Sequence, residues 1–307
     1  MRLIVLGAAA GGGFPQWNCN CATCRAGWTG QAPAQTQAAL AVSADGERWV
    51  LLNASPDLRA QVLATPALQP RRPGRDSPIA AVVLTNGDVD AVAGLLTLRE
   101  SWPLAIYATE RVLAVLEANS IFNVLGRAWV ARRALPLDAP LALAAQDGTP
   151  LGLSLEAFSV PGKVALYLED GAIERQLAER SENTIGLLVS APQSGKRFFY
   201  IPGCAALDDT LAGRLRGAPL VFFDGTLWRD DELIRAGLGA KTGRRMGHLS
   251  ISGPDGTIAA LAPLGIGRKF FIHINNTNPI LCPTAPERLA VEAAGWQVAQ
   301  DGLEIEL

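Results

Sequence analysis

The sequence predicts an α/β fold in which sheets and helices pack in layers. Three observations predict it. Short, continuous apolar runs recur along the chain (residues 3–6, 79–84 and 220–223), each of strand length and each ending in polar or glycine residues. Helical patterns follow such runs, as at 110–119, where Val112, Leu113, Val115 and Leu116 make an apolar face. The order strand, turn, helix, strand then returns in the second half, from residue 198 onward.

In chain order, residues 3–6 predict the first core strand. Its place after Met1 and Arg2 imitates a short secretion signal, but the basic head is weak and cleavage after Ala10 would remove the strand, so a cytoplasmic protein is expected. The glycine-rich stretch 7–13 has neither the Gly-Lys-Ser/Thr nor the Gly-x-Gly-x-x-Gly spacing of a phosphate loop and reads as a tight turn against the core. Residues 37–42 and 49–53 predict a hairpin closed at Asp45-Gly46. Ser55 is the expected N-cap of a helix reaching about residue 65, with Pro56 at its first position and Asp57 suited to its dipole; Asp57 and Arg59 also have the option of facing a pocket. The Pro- and Arg-rich residues 68–76 predict a surface connection. A strand at 79–84, a helix opening near Val92, a strand at 104–107 and the helix at 110–119 follow. Residues 135–143, 151–160 and 183–189 read as strands, with turns at Asp147-Gly148 and Ser194-Gly195. The long interval 161–182 is either a lid over a site or the place of a surface helix at 173–180. A strand at 198–201, a turn at 202–204, a helix to about 215 and a strand at 220–223 come next. A helix at 254–261, a strand at 269–273, a helix opening at Pro286 and a final strand at 303–307 complete the chain. No linker or low-complexity tract interrupts it, so residues 1–307 are expected to form a single domain.

Composition narrows the function. With 49% hydrophobic and 18% charged residues the chain can bury a large core, and a net charge of −2 provides no basic surface for nucleic acid or anionic membrane. No apolar run approaches the ~20 residues of a membrane span. Three of the five cysteines, Cys19, Cys21 and Cys24, crowd into one short segment, which does not suit a secreted disulfide framework. Three thiolates so spaced can take three corners of a tetrahedral zinc site, and without metal they would be prone to oxidation. A structural zinc staple is therefore expected over a trio of free cysteines. Its fourth ligand would be His273, Asn276 or Cys282.

The functional reading centres on residues 84–95, Leu-Thr-Asn-Gly-Asp-Val-Asp-Ala-Val-Ala-Gly-Leu. Asp88 and Asp90 stand where a core strand passes into a helix, and two carboxylates at i and i+2 on a loop can converge on one cation. The chain's 2 histidines, His248 and His273, fall at a strand–helix junction and at the end of a strand. These four side chains make a candidate mononuclear centre. Asp224 is a further ligand, a supporting partner, an acid–base group, or simply a turn residue before Gly225. Mixed imidazole and carboxylate donors with open positions suit non-haem Fe(II) better than closed zinc. His273 cannot serve both this centre and the thiols.

The same turn resembles that of metallo-β-lactamase-fold hydrolases, in which Thr-His-x-His-x-Asp-His, followed by x-x-Gly-Leu, supplies most ligands of a two-metal site. Thr85, Asp90, Gly94 and Leu95 match, whereas Asn86, Asp88 and Ala91 stand where the histidines would be. His248 and His273 fall where the tRNA 3′-processing branch carries histidines, but Cys204 stands at the place of the bridging Asp. The resemblance implies a four-layer αββα sandwich whose two-metal hydrolytic centre has been dismantled. Longer strings at 7–21, 53–59, 224–228, 246–249 and 273–280 (His-Ile-Asn-Asn-Thr-Asn-Pro-Ile) resemble the pyrroloquinoline quinone (PQQ) biosynthesis protein B family over essentially the whole chain. That resemblance implies a role in making PQQ from a Glu–Tyr unit of a small precursor peptide. It implies either an iron-dependent oxygenase that hydroxylates the tyrosine ring of the Glu–Tyr intermediate, or a carrier that assists transport of PQQ or its precursor to the periplasm. A non-catalytic partner in a biosynthetic complex, or a homodimer, is also open. Ala91 departs from the family, where a His follows the second Asp. The donor set favours the enzyme, with Asp88, Asp90, His248, His273 and Asp224 as its catalytic residues and structural zinc plus Fe(II) as its metals.

Overall fold

Two seven-stranded sheets face each other in the structure, a computed structural model that describes residues 1–163 and 180–307. The first holds β1 (Arg2–Gly7), β2 (Ala39–Ser43), β3 (Trp49–Leu52), β4 (Ile79–Val83), β5 (Leu104–Ala108), β6 (Val130–Ala134) and the closing β14 (Glu304–Glu306), in the order β14-β1-β2-β3-β4-β5-β6. The second holds β7 (Pro140–Ala144), β8 (Pro150–Pro161), β9 (Arg180–Ala191), β10 (Lys196–Ile201), β11 (Leu220–Asp224), β12 (Arg268–Ile272) and β13 (Gln297–Val298), in the order β13-β12-β11-β10-β9-β8-β7. Each sheet changes from antiparallel to parallel pairing part-way across, at β3 in the first and β10 in the second.

The apolar runs are continuous because these strands are buried on both faces. In β1, Leu3 and Val5 point between the sheets while Ile4 and Leu6 point to the outer helices. In β10, Phe198 and Tyr200 point inward and Phe199 and Ile201 outward. Fully burying each such side chain contributes about 1.5–3 kcal/mol. Outside the first sheet lie α2 (Leu58–Ala64), α3 (Val89–Val92) and α4 (Glu110–Ala118), packed around Leu58, Val92 and Leu116. Outside the second lie α1 (Ala22–Trp28), α5 (Asp209–Leu215), α7 (Thr257–Leu261) and α8 (Pro286–Ala293), around Phe223 and Phe271; α6 (Glu232–Arg235) is a single surface turn. The layers are helix, sheet, sheet, helix, as the resemblance implies.

Several local expectations are corrected. Residues 135–143 do not form one strand: β6 ends at Ala134, the chain turns through Pro136 and through Asp138 at φ 56°, and β7 begins in the other sheet. The helix near residue 55 starts at Leu58 with Asp57, not Ser55, in the N-cap place; the Asp57 carboxylate instead accepts the backbone and side-chain N–H of Gln37, each at 2.9 Å. The helix opening near Val92 is α3, one turn beginning at Val89, continued as a 3-10 helix over Ala93–Leu98. The helix expected at 254–261 starts only at Thr257. Short α1, α6 and β13 were not anticipated. The lid and the helix at 173–180 fall largely on residues outside those described.

Candidate functional site

Main-chain bridges join the two sheets at one end of the sandwich. Ala9 bridges both Gln37 and Ile274, with Ala10 N donating to Ile274 O at 2.8 Å and Ile274 N to Ala8 O at 2.9 Å. This close approach requires glycine at residue 7, where a Cβ would lie 2.1 Å from Gln37 O. A cavity of about 330 Å³ opens at this seam, and Asp88, Asp90, His248 and His273 all line it, with Lys163 and Lys241.

Each side chain is placed by its local chain. Asn53, at φ 65°, accepts Thr85 N at 2.9 Å and donates to Thr85 Oγ1 at 3.0 Å, which fixes the exit of β4. Asn86 Oδ1 accepts Asp88 N at 2.9 Å, and α3 then presents Asp90. His273 follows β12 at φ 58°, and His248 follows Gly247 at φ 87°. Asp224, fully buried at the end of β11, accepts Cys204 N at 2.9 Å, Thr226 N at 3.0 Å and Thr226 Oγ1 at 2.6 Å. Its Oδ2 lies 2.7 Å from His248 Nδ1, so it orients that ring.

His273 faces Asp90 and Thr226, with Nε2 2.9 Å from Asp90 Oδ2 and Nδ1 2.9 Å from Thr226 Oγ1. Thr226 Oγ1 is also 3.0 Å from His248 Nδ1, and the two imidazoles stack with centroids 5.2 Å apart. Burial would raise the Asp90 carboxyl, but the hydrogen bond and charge of His273 outweigh it and hold it below the usual carboxylate range. Burial likewise opposes protonation of His273, yet the hydrogen bond and charge of Asp90, then Asp224 and Asp88, raise it. Thr226 is the residue that sequence reasoning missed; it stands in the Asp-Gly-Thr string at 224–226, whose only assigned candidate was Asp224.

Asp224, His248 and His273 place donor atoms within 4.8 Å of one another. Asp90 joins them through His273, and their 2.9 Å separation is close to the ~3 Å between adjacent donors held at right angles about one ion. Asp88 stands at the edge, its Oδ1 3.9 Å from Lys163 Nζ. Two imidazoles with carboxylates and no thiolate fit a divalent cation such as Fe(II).

Cys19, Cys21 and Cys24 form a second cluster, their sulfurs within 4.8 Å of one another. Asn276 Nδ2 donates to Cys24 Sγ at 3.2 Å, and Asn276 O lies 3.7 Å from Cys24 Sγ and 3.9 Å from Cys21 Sγ. Burial pushes the Cys21 thiol up to about 12. Burial acts the same way on Cys19, but hydrogen bonds from Cys21, Cys24 and Asn276 outweigh it and lower that thiol. A bound cation would relieve this crowding of sulfurs, so the trio fits zinc. Of the fourth-ligand candidates, Asn276 touches the thiols directly, Cys282 is raised by burial and by the charge of Cys24, and His273 is turned to the cavity.

Residues 48–274 match the family model of the beta-lactamase superfamily domain. A diphosphatase from the PhnP family shares the fold at 21% identity and a TM-score of 0.69, over 100% of this chain and 97% of that one. The chain is a metallo-β-lactamase-fold protein. The coenzyme PQQ synthesis protein B of Rhodopseudomonas palustris (strain TIE-1) is 56% identical over 100% of both chains. A crystal structure of Zn(2+)-bound PqqB from Methylobacterium extorquens is 50% identical and superimposes with a TM-score of 0.94 over 100% of both chains. This chain belongs to the coenzyme PQQ synthesis protein B family, and its role lies in PQQ synthesis. Among the described residues no helix is long and apolar enough to cross a membrane.

Proposed function

We propose that the protein is an Fe(II)-dependent oxygenase that hydroxylates the tyrosine ring of the Glu–Tyr intermediate on the way to PQQ. The observation that carries this reading is the convergence of Asp90, His248 and His273 on one cavity without a thiolate. Fe(II) bound by these three would supply activation of O₂, with open positions for O₂ and substrate. The chain's own residues do the rest. Asp224 holds His248 in one ring orientation, and Thr226 Oγ1 braces both imidazoles through their Nδ1 atoms. Asp88 faces the cavity beside Lys163 and would take the proton from the phenol; Lys163 and Lys241 line the same cavity and make that wall less acidic. Ala91 lines the same cavity and adds no donor, which keeps the site mononuclear. Zinc at Cys19, Cys21 and Cys24 acts as a staple and takes no part in turnover.

Each hydroxylation puts one atom of O₂ into the ring and reduces the other to water, so it consumes two electrons from an external reductant. Anaerobically purified protein, analysed for metals and mixed with cross-linked Glu–Tyr peptide and excess ascorbate in an oxygen electrode, tests this. Iron and zinc in similar amounts, O₂ uptake and a product heavier by oxygen are expected. Asp90→Ala should keep zinc and lose turnover by about 100-fold or more. Zinc alone, with ligand binding but no O₂ uptake, would make the protein a carrier.

A further inference from the structure

The two imidazoles offer an ion two positions. On one side stands Asp224, whose donor atoms lie within 4.8 Å of those of His248 and His273. On the other, Asp90 Oδ2 faces His273 Nε2 at 2.9 Å. The protons of the cluster decide between them. Asp224 Oδ1 lies 2.6 Å from Thr226 Oγ1, and two oxygens that close need a proton between them, so the one hydroxyl proton of Thr226 goes to the carboxylate. The other oxygen beside that hydroxyl, His273 O at 2.9 Å, can also only accept. Thr226 therefore has no proton for either ring. His273 Nδ1, 2.9 Å from Thr226 Oγ1, must carry its own N–H. His248 Nδ1 faces two acceptors, Asp224 Oδ2 at 2.7 Å and Thr226 Oγ1 at 3.0 Å, and must carry one too. With the proton on Nδ1, the lone pair that a neutral imidazole gives to a metal is on Nε2.

We infer that Asp224 is a positioning residue and not a metal ligand: it sets the tautomer of both imidazoles, directly at His248 and through the Thr226 hydroxyl at His273, so that the ion is bound by the two Nε2 atoms on the side of Asp90. The carboxylate has nothing left to give a metal. A carboxylate offers about four lone-pair sites, and here Oδ1 accepts Thr226 N and Thr226 Oγ1 while Oδ2 accepts Cys204 N and His248 Nδ1. Asp224 is fully buried and Thr226 nearly so, so water cannot stand in for either partner. The inference rests on the part of the function proposed above that puts a divalent ion in the cavity, and not on its oxygen chemistry.

The chain has 2 histidines, so nitrogen magnetic resonance can follow each ring in the full-length protein. With zinc at the thiols and a second equivalent of zinc in the cavity, both rings should show a protonated Nδ1 and a metal-bound Nε2. A protonated Nε2 on either ring would overturn the inference. Affinity is read with Mn(II), whose preference for oxygen donors keeps it from the thiols, by electron paramagnetic resonance of zinc-loaded protein free of iron. Thr226→Val keeps the shape and removes the acceptor, and should weaken Mn(II) binding about tenfold or more, the usual scale for losing the outer partner of a ligating histidine. Thr226→Ser should bring it back to within about threefold. Asp224→Asn should weaken binding at least as much as Thr226→Val, because both rings lose their anchor. Unchanged affinity in Thr226→Val, a smaller loss in Asp224→Asn, or no saturable binding to the unaltered protein would each contradict the assignment. Equal losses in Thr226→Val and Thr226→Ser would do so as well, by showing that packing matters and the hydroxyl does not. Should Asp224→Asn fail to fold, the two Thr226 variants carry the test alone. Because neither iron nor O₂ takes part, absence of O₂ uptake would end the oxygenase reading and leave this result intact.

Discussion

At Asp224 a single buried carboxylate accepts two backbone amides and a threonine hydroxyl and still steers an imidazole. Asp301 occupies a comparable node far along the chain, accepting Ala8 N at 3.1 Å and both Thr36 N and Thr36 Oγ1 at 2.7 Å. Burial nevertheless pushes its carboxyl up to about 6, more than the bonds from Thr36 and Ala8 pull it down. Its unfolded value is about 3.9, so between those values the folded chain keeps a proton that the unfolded chain has released. That contribution is fully present below about pH 4 and is lost as the pH rises through about 6. Urea unfolding at several pH values checks this: the stability of the natural protein minus that of Asp301→Asn should fall from pH 4 to pH 7. A difference independent of pH would contradict it. Residues with distinctive chemistry, such as the aspartates at 88 and 90 and the two histidines, were legible because their types are rare at strand ends. Thr226 was not, because a hydroxyl shared by two imidazoles exists only after folding.

Among the elements, α3 and its 3-10 continuation bring Asp90 to the cavity. Gly94 in that continuation donates to Ala54 O at 2.8 Å, while Ala54 N donates to Ala91 O at 2.8 Å, so two loops are zipped backbone to backbone. A Cβ at residue 94 would meet Ser55 O at 2.1 Å and Ala54 O at 2.7 Å, both main-chain atoms without a rotamer to yield. Gly94→Ala should therefore cost about 2–4 kcal/mol in chemical denaturation, from overpacking and a broken backbone pair. It should also lower retained iron, because α3 must shift to make room; a stability change within about 0.5 kcal/mol would show that the zipper yields freely. The elements easiest to read were strands buried on both faces, such as β4 and β11, whose apolar runs admit little else. The misreading at 135–143 has the same cause, for the apolar run continues while the chain changes sheets at Pro136 and Asp138. The seven-residue α1 escaped notice because its residues serve the cysteine cluster more than a periodic apolar face.

Across the whole molecule, the thiol cluster and the cavity are joined by a short stretch of chain after β12. His273 faces Asp90, Asn275 N donates to Thr226 O at 3.0 Å, and Asn276 touches Cys24 and Cys21. Thr23 Oγ1 donates to Thr277 O at 3.0 Å, and Asn278 Nδ2 donates to Gly225 O at 2.9 Å. Zinc at the thiols would thus tie the segment around α1 to the far end of the chain and, through residues 274–278, steady the backbone that carries His273. A metal bound by the folded chain alone stabilises it by its binding free energy, and a cross-link between distant segments restricts the unfolded chain as well. Chelation of zinc, or Cys24→Ser, should therefore lower the melting temperature by several degrees or more. Hydrogen exchange locates the effect. Protection should fall at residues 22–28 and 274–278, whereas β4 and β5, in the opposite sheet and away from the thiols, should stay protected to the level of global unfolding. Iron retention should weaken in the same samples even though no thiol lines the cavity. Unchanged protection at 274–278 after zinc is removed would mean that the two centres are independent, with His273 held by Asp90 and Thr226 alone.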